Sequence, residues 1–271
     1  VEQQEDTASC LFTVVTTPIN LGAADVPALV ETKKQEQHKI LEVITPIAME
    51  QNVPIYAKLK AASRVEEGIF SELSRHKDIN LVMLGFPKDH AKVEFPNNII
   101  KEVLMMANRN VAVFRDRGLP NPVRRILVPV GSGPNARLAL QMARDIVLPV
   151  TDAEIIALRL VRGEVDDERL EDEELQVHEI VEQELGDIGD VIKFKVRTTE
   201  SVAEGILAEC QEGNYDLMII GAAEEVLSPE QIFGRLDDYL MEVVPCSMLV
   251  VRRHQTGGAL WMRKQIKRIE Q

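Results

Sequence analysis

Aromatic residues are scarce in this chain. Phe, Trp and Tyr together make up 4% of its 271 residues, and there is a single Trp. The core must therefore be built from Leu, Ile, Val and Met, the composition expected of strands that helices cover on both faces. Apolar residues at 45% and charged residues at 28% are typical of a globular protein rather than a disordered or fibrous one. These proportions favour an α/β fold.

Three other deficits exclude classes of protein. The cysteines, Cys10, Cys210 and Cys246, are too few and too widely spaced for a disulfide framework or a zinc knuckle, which favours a reducing cytoplasm. The longest apolar runs, such as residues 81–86 and 217–223, are far shorter than the roughly 20 residues that span a bilayer. The net charge of −13 opposes binding to nucleic acid, because a phosphate backbone selects a basic surface. We expect no nucleic-acid partner.

The residue patterns of common catalytic sites are also missing. The five histidines are scattered, and none forms a His-Glu-x-x-His pair or another close metal-ligand spacing. The nucleophile elbow Gly-x-Ser-x-Gly does not occur. We therefore expect no enzymatic activity and no metal site.

An internal repeat organises the chain. Three segments recur in the same order: VEEGI at 65–69 and VAEGI at 202–206, NLVMLG at 80–85 and DLMIIG at 216–221, and strand-like runs at 111–115 and 247–252. The offsets between the copies are 137, 136 and 136 residues. A nearly constant offset over three segments indicates two copies of one module.

The second copy alternates strands with helices throughout. Strands are predicted at residues 126–130, 155–161, 191–196, 217–220 and 248–251, and helices at residues 135–146, 170–185, 202–212 and 229–243. Strands that alternate with helices of about 10 to 15 residues imply right-handed crossovers and a parallel sheet. The predicted fold is doubly wound.

The first copy has the same succession of elements but begins with the second strand. It runs from a strand at 11–16 and a helix at 33–51 to a strand at 111–114, so its opening strand and helix are absent. We interpret this as a module cut from a larger protein, with a naturally short first domain as the alternative. The sequence thus predicts two tandem doubly wound parallel-sheet domains: an incomplete one at 1–119 and, after a linker at 120–122, a complete one at 123–254.

Three segments of the second copy carry a family pattern. They are the first strand RILVPV at 125–130, the strand DLMIIG at 216–221 and the closing strand PCSMLVVR at 245–252. Together with a helix that starts near Asn135, they resemble the universal stress protein family. The resemblance implies a parallel sheet of order 3-2-1-4-5, pairing of modules through their last strands, and ATP binding in many members.

The phosphate loop of that family is altered here. ATP-binding members have a Gly, two residues, a second Gly, nine residues and a third Gly before a Ser or Thr. The corresponding positions in this chain are Gly221, Glu224, Gly234 and Arg235. Glu224 puts a carboxylate where the phosphates would approach, and Gly131 stands where the family has an Asp for the adenosine moiety. The segment Gly131, Ser132 and Gly133 is still able to accept a phosphate. We expect no cofactor, with ATP or another adenine nucleotide as the alternative.

A narrower resemblance points to a membrane transporter. It is carried by RRILVPV at 124–130, GPNARLAL at 133–140, VAVFRDRG at 111–118 and GAAEE at 221–225. These segments look like the tandem stress-protein-like regions fused behind the membrane part of amino-acid permeases and cation-chloride cotransporters of the APC superfamily. The resemblance implies a regulatory domain at the cytoplasmic face of the membrane, attached to a transmembrane domain of the same polypeptide and forming a homodimer.

Other functions stay open beside this one. A stand-alone tandem universal stress protein that binds an adenine nucleotide is the first alternative, and an adenine-nucleotide hydrolase is the second. The dimer contacts are also open, because the last strands of the two copies, at 111–114 and 248–251, are able to pair with each other inside one chain.

The final residues, 255–271, have a basic amphipathic pattern. Met262, Ile266 and Ile269 are spaced to lie on one face of a helix. The residues that surround this stripe are Trp261, Arg263, Lys264, Lys267 and Arg268. Such a helix is typical of a membrane-surface contact, with docking onto the chain itself or onto a partner as the alternative.

Overall fold

The computed structural model describes residues 8–17, 25–87, 94–186, 189–223 and 231–255. Within these ranges the chain forms nine strands, seven α-helices and a short 3-10 helix at Gly189–Val191. None of the helices in these ranges is long and apolar enough to cross a membrane. The elements belong to two compact units, which divide between Lys77 and Asp78.

The first unit has two strands and two helices. In chain order they are β1 (Ser9–Thr16), α1 (Val26–Glu50), β2 (Ile55–Ala62) and α2 (Val65–Arg75). The strands are parallel, and their register runs from Ser9 opposite Ile55 to Thr16 opposite Ala62. Helix α2 packs on both strands and buries Ile69 there. The alternation of strand and helix that the sequence predicts is therefore present in this unit.

The second unit is built on a seven-stranded sheet. Its elements are β3 (Leu81–Gly85), α3 (Glu94–Met106), β4 (Asn110–Arg115), β5 (Arg125–Pro129), α4 (Pro134–Val147), β6 (Glu154–Arg162), α5 (Asp167–Leu185), β7 (Ile192–Thr199), α6 (Val202–Gly213), β8 (Leu217–Gly221), α7 (Arg235–Val243) and β9 (Ser247–Arg252). The strands lie in the order β3-β4-β9-β8-β5-β6-β7. Neighbouring strands are parallel except for β4 and β9.

The five strands of the second copy have the order that the sequence predicts. Numbered from β5 as the first, they lie as 3-2-1-4-5. The central strands are apolar on both faces: Leu127, Ile155 and Ile219 have no exposed surface. Burial on both faces is expected of a parallel sheet whose crossovers are helices. The doubly wound α/β prediction is confirmed for this copy.

Strands β4 and β9, the last of each copy, pair antiparallel with each other. Val113 lies opposite Val250, and both are fully buried. Beyond the paired residues, the Arg117 N–H donates to Ser247 Oγ at 3.0 Å. The sequence left open whether the last strands of the two copies pair inside one chain, and the structure shows that they do.

The boundary between the compact units differs from the predicted linker at 120–122. It falls at Lys77 because β3 and β4 pair with the second copy through β9, whereas β1 and β2 form a sheet of their own. In the order 3-2-1-4-5, the first strand lies between the second and the fourth. In the first copy, the second strand is β1 and the fourth is β3. Within the described ranges no strand pairs with both β1 and β3. The assignment of sequence domains to 1–119 and 123–254 stays a prediction.

Two predicted helix starts are wrong. Helix α1 begins at Val26 instead of 33, with Pro27 in its first turn, where the missing N–H of proline is tolerated. Helix α7 begins at Arg235 instead of 229. Gly234 has φ of +133°, a backbone conformation that a helix does not contain, and it delays the helix to the next residue.

Candidate functional site

A cavity of about 630 Å³ opens at the carboxyl ends of β5, β6 and β8. Its lining combines two loops with apolar side chains: Pro129, Val130, Gly131, Ser132, Gly133, Asn135, Ala136, Leu158, Arg159, Leu160, Val202, Ile206, Ile220, Gly221, Ala222 and Leu236. The crevice outside the carboxyl ends of parallel strands is where open α/β sheets bind ligands. We take this cavity as the candidate ligand site.

The loop after β5 leads directly into the first turn of α4. Gly133 is the residue before the helix, with an extended backbone at φ −79° and ψ 160°, and Pro134 begins the helix. Gly133, as the N-cap residue, has no side chain that could cap the first N–H groups of α4. The amino end of a helix carries a partial positive charge and free N–H donors, so this wall of the cavity suits an anionic group.

Gly221 lets β8 meet the start of α4. A Cβ placed on Gly221 would lie 2.4 Å from the Ala136 backbone nitrogen and 2.4 Å from the Asn135 carbonyl carbon. Any side chain at this position would therefore push the helix away from the strand. The glycine that the sequence assigns to a phosphate loop has a packing role that is independent of any ligand.

Asn135 fixes the same corner through its side chain. Its Nδ2 donates to the Ala222 carbonyl at 2.7 Å, and its Oδ1 accepts from the Arg253 N–H at 2.8 Å. The residue is buried. One side chain thus holds the ends of α4, β8 and β9 together, and the position was not among the predicted site residues.

Arg159 brings a positive charge to the lining. Its Nε lies 2.7 Å from Glu173 Oε2, and its Nη1 donates to the Val130 carbonyl at 3.2 Å. Arg159 is the one charged side chain among the described residues of the lining. Its ion pair with Glu173 balances its charge. No local pattern indicates this role for Arg159, because the residue lies inside a strand and both of its partners lie elsewhere in the sequence.

The structure brings four of the predicted nucleotide-site residues together. Gly131, Ser132, Gly133 and Gly221 all line the cavity. Their role in nucleotide binding stays a prediction.

The remaining predicted nucleotide-site residues lie elsewhere. Gly234 and Arg235 precede and begin α7, and of that region Leu236 is the described residue that lines the cavity. Glu224 lies outside the described residues. The predicted membrane-contact residues lie outside them as well: Trp261, Arg263, Lys264, Lys267 and Arg268.

Carboxylates at the start of α7 organise the neighbouring backbone. Asp237 is buried and its Oδ2 accepts from the Ala223 N–H at 2.8 Å. Asp238 accepts from the Ile232 N–H at 3.0 Å and the Phe233 N–H at 3.1 Å. The N–H groups of Ala223, Ile232 and Phe233 are therefore bonded to side chains of the protein itself.

A second polar cluster lies on the helix before β8. Glu209 is 1% exposed. Its carboxylate lies 2.6 Å from Lys195 Nζ and 3.3 Å from Arg197 Nη1, and it accepts from the Tyr215 hydroxyl at 2.6 Å. Burial opposes ionisation of Glu209, but the hydrogen bonds from Lys195, Tyr215 and Arg197 outweigh it and hold its pKa below the ordinary value. Burial and the bond to Glu209 raise the pKa of Tyr215.

The first copy contains the same cluster. Glu72 is buried and pairs with Lys58, and its second oxygen lies 4.0 Å from Lys60 Nζ. These three residues precede Glu209, Lys195 and Arg197 by 137 positions each. The shared offset of 137 residues is the sequence signal from which this cluster is predictable.

No described group of three or more His, Cys, Asp or Glu side chains is arranged to hold a metal ion.

The described lining of the cavity combines apolar side chains, the amino end of helix α4 and one ion-paired arginine. Such a lining can enclose a small molecule with an anionic end.

Residues 122–252 match the model of the family described as Universal stress protein family. The matched stretch coincides with the second copy, the part of the chain whose motifs carry the resemblance. No curated protein matches the chain at a significant level.

Several solved structures are similar to the chain over most of its length. A universal stress protein from Archaeoglobus fulgidus DSM 4304 is 13% identical with a TM-score of 0.60, covering 92% of this chain and 87% of that chain. A putative universal stress protein from Pseudomonas aeruginosa UCBPP-PA14 is 12% identical with a TM-score of 0.55, covering 90% and 93%. The cytoplasmic domain of a prokaryotic cation chloride cotransporter is 12% identical with a TM-score of 0.49, covering 94% and 89%. At these identities the two universal stress protein structures establish the fold alone.

Proposed function

We propose that this chain is a non-catalytic regulatory and dimerisation domain at the cytoplasmic face of a membrane transporter for amino acids or for cations and chloride. The observation that carries the proposal is the antiparallel pairing of β4 with β9. It joins the last strand of the first copy to a complete second copy in one sheet. A unit of this kind serves as a preassembled scaffold, and its transmembrane partner is part of the same polypeptide.

The β4–β9 pairing also bears on dimerisation. The resemblance implies that modules of this family pair through their last strands. In this chain those edges are used internally, with Val113 and Val250 buried between them. A homodimer of the chain therefore uses other surfaces.

The composition of the cavity supports a role without catalysis. A catalytic site needs a nucleophile or metal together with a positioned base. In the described lining, the hydroxyl of Ser132 is accompanied by the amide of Asn135 and by Arg159, which is paired with Glu173. None of these described neighbours is a base that would activate the hydroxyl.

The transporter context is tested by the coding sequence upstream of Val1 and then by transport. We expect apolar segments of about 20 residues there. In the intact polypeptide, Val250→Asp should change the transport rate while membrane insertion stays normal, because it places a charge in the β4–β9 contact. The control is Leu175→Asp, at an exposed position of α5. The proposal is contradicted by a coding sequence with no apolar segments, or by a transport rate that Val250→Asp leaves unchanged.

A second candidate function, a tandem stress protein that binds an adenine nucleotide, is favoured by the cavity itself. Gly131, Ser132 and Gly133 meet there at the amino end of α4. Calorimetry with ATP, AMP and cyclic dinucleotides distinguishes the two candidates. The regulatory proposal expects no heat at millimolar nucleotide. Heat that disappears in Ser132→Glu, but not in the exposed control Ser74→Glu on α2, would establish the second candidate instead.

A further inference from the structure

Three sulfur atoms meet in the interior of the second unit. Cys210 lies on α6, and its Sγ is 3.8 Å from Sδ of Met218 on β8. The Cys210 thiol also forms a hydrogen bond with the thiol of Cys246, which immediately precedes β9. Cys210, Met218 and Cys246 are 3%, 0% and 8% exposed. The tertiary structure thus encloses two thiols and one thioether in one place, from which water is largely excluded.

This sulfur cluster, formed by Cys210, Met218 and Cys246, lies away from the cavity. Met218 is the second residue of β8, whereas Gly221, which lines the cavity, is the last. Strands β8 and β9 are parallel, and Cys246 precedes β9, so the cluster lies at the amino ends of both strands. The cavity opens at the carboxyl ends of the sheet. A ligand of the sulfur cluster would therefore bind at the opposite edge.

The ligand types of the sulfur cluster select a soft metal ion. Thiolate and thioether sulfurs suit Cu(I), whereas structural zinc sites are built from four Cys, His, Asp or Glu ligands. Among the described residues no third side chain of those types joins the two cysteines. An ion at the centre of an equilateral triangle with a side of 3.8 Å would lie about 2.2 Å from each sulfur, close to a metal–thiolate bond of about 2.3 Å. The separation of Cys210 and Met218 therefore suits a three-coordinate ion.

The charges around the sulfur cluster suit a bound monovalent cation. The hydrogen bond from Cys210 and the charge of Arg117 lower the pKa of Cys246, although burial opposes them. The thiolate is the form that binds metal. One Cu(I) with two thiolates and a neutral thioether carries a single negative charge, for which Arg117 compensates. The nearby carboxylate of Glu209 is already paired with two cations of β7.

We propose that Cys210, Met218 and Cys246 form a buried binding site for one Cu(I) ion. Binding replaces the two thiol protons, which are released to solvent, and the oxidation state of copper does not change. The bound ion joins α6 to the starts of β8 and β9, so copper should stabilise the second unit. This inference goes beyond the proposed function and does not depend on it.

Anaerobic titration of the reduced chain tests the site. Cu(I), supplied as its acetonitrile complex, competes for the protein against the chelator bathocuproine disulfonate. One Cu(I) per chain should stay bound, and it should raise the Tm by about 5 °C or more. X-ray absorption at the copper edge should show three sulfur neighbours. A chain that retains no Cu(I), or whose bound ion has mainly nitrogen or oxygen neighbours, overturns the inference.

Substitutions identify the ligands. Cys210→Ala and Cys246→Ala should each lose the copper to the chelator, whereas Cys10→Ala, at the exposed cysteine, should keep it. Met218→Leu conserves the apolar volume and should weaken binding at least about 10-fold, since loss of an outer-shell partner alone costs about that much. The matched control is Met142→Leu, in the core on the opposite face of β8. Circular dichroism verifies that each variant is folded. Copper that stays on either cysteine variant, or equal affinity in the two methionine variants, overturns the inference.

A disulfide is the other chemistry open to two adjacent thiols. One hydrogen peroxide molecule would take up the two thiol hydrogens and be reduced to two waters, while the sulfurs of Cys210 and Cys246 join. A chain that forms this disulfide but binds no Cu(I) overturns the inference and gives the pair a redox role instead. Zn²⁺ in place of Cu(I) should not be retained. Retention of Zn²⁺ at the same cysteines with equal affinity overturns the assignment of copper.

Discussion

Glu209 occupies in the second copy the place that Glu72 occupies in the first, 137 residues earlier. Each is buried on the helix that follows the third strand position of its copy, and each pairs with a lysine 14 residues before it on that strand. A carboxylate is retained in a buried position only where cations and donors compensate for its lost hydration. The repeat therefore preserves a polar cluster as well as an apolar pattern.

Substitution of Glu209 by Gln should destabilise the second unit by about 2–3 kcal/mol, because Lys195 and Arg197 lose their buried partner. The value lies below that of a fully buried pair, since Lys195 is 44% exposed and solvent screens it. Urea unfolding followed by circular dichroism measures the change. The control is Glu212→Gln, which removes an exposed partner of Arg197 and should have a much smaller effect. Equal effects at the two positions would contradict the prediction.

The stability of the second unit should fall in acid in a manner that depends on Glu209. Its folded pKa lies below the ordinary value of 4.5, so its contribution is complete above that pH and is lost as the pH falls through the folded pKa. Unfolding free energies measured between pH 7 and pH 2 should therefore decline less steeply at the acid end in Glu209→Gln. Parallel curves for the two proteins would show that Glu209 does not contribute.

Replacement of Asn135 by Ala should cost about 1–3 kcal/mol of stability, because the Ala222 carbonyl and the Arg253 N–H lose their buried partner. The exposed Gln183→Ala on α5 is the matched control. Thermal unfolding measures both variants. The loss should also increase hydrogen exchange at the end of β8, since Asn135 joins that strand to α4. A stable variant with unchanged exchange at Ala222 and Ala223 would refute the role given to this side chain.

Cys10 should be the cysteine that alkylating reagents modify first. It is exposed, whereas Cys210 and Cys246 are buried, and burial together with contact to the Cys246 thiol raises the pKa of Cys210. Partial burial also raises the pKa of Cys10, so its reaction with iodoacetamide should need a higher pH than that of an unhindered thiol. Peptide mass spectrometry after brief labelling identifies the modified residue. Rapid labelling that persists in Cys10→Ser would contradict this assignment.

The basic segment at the end of the chain should bind anionic vesicles. Each Lys or Arg near such a surface contributes about 1 kcal/mol, so reversing Arg263, Lys264, Lys267 and Arg268 to Glu should weaken binding by a factor of about 1000 or more. Co-sedimentation with phosphatidylserine vesicles, compared with neutral vesicles, measures it. Binding should also weaken as salt is raised. Equal sedimentation of the reversed variant would favour docking of this segment onto protein.

Local pattern in the sequence was sufficient for the strands, the helices and the parallel sheet of the second copy, and the family resemblance supplied the order of the strands. Strands such as β8 are short apolar runs that end in glycine, and helices such as α6 have amphipathic spacing. The crossover rule then leaves few topologies for such an alternation. Helix starts were less predictable, because α7 depends on the backbone angle of Gly234 and on Asp238, which bonds residues before the helix.

The membership of the cavity was predictable only in part. Gly131, Ser132, Gly133 and Gly221 carry a motif, and the structure places them together. Arg159 and Asn135 carry none, because their roles depend on partners such as Glu173 and Ala222 that lie elsewhere in the sequence. A residue whose function is a long-range contact has no local signature.

The sequence by itself determined that this protein repeats an α/β module, and that its second copy resembles the universal stress protein family. Periodicity of apolar residues encodes strands and helices, and a constant offset encodes the repeat. Only the tertiary structure decided that β4 pairs with β9 and that, among the described strands, β3 ends the seven-stranded sheet. Those pairings depend on which backbone edges remain unsatisfied after each copy has folded, and that is a property of the assembled sheet rather than of any segment.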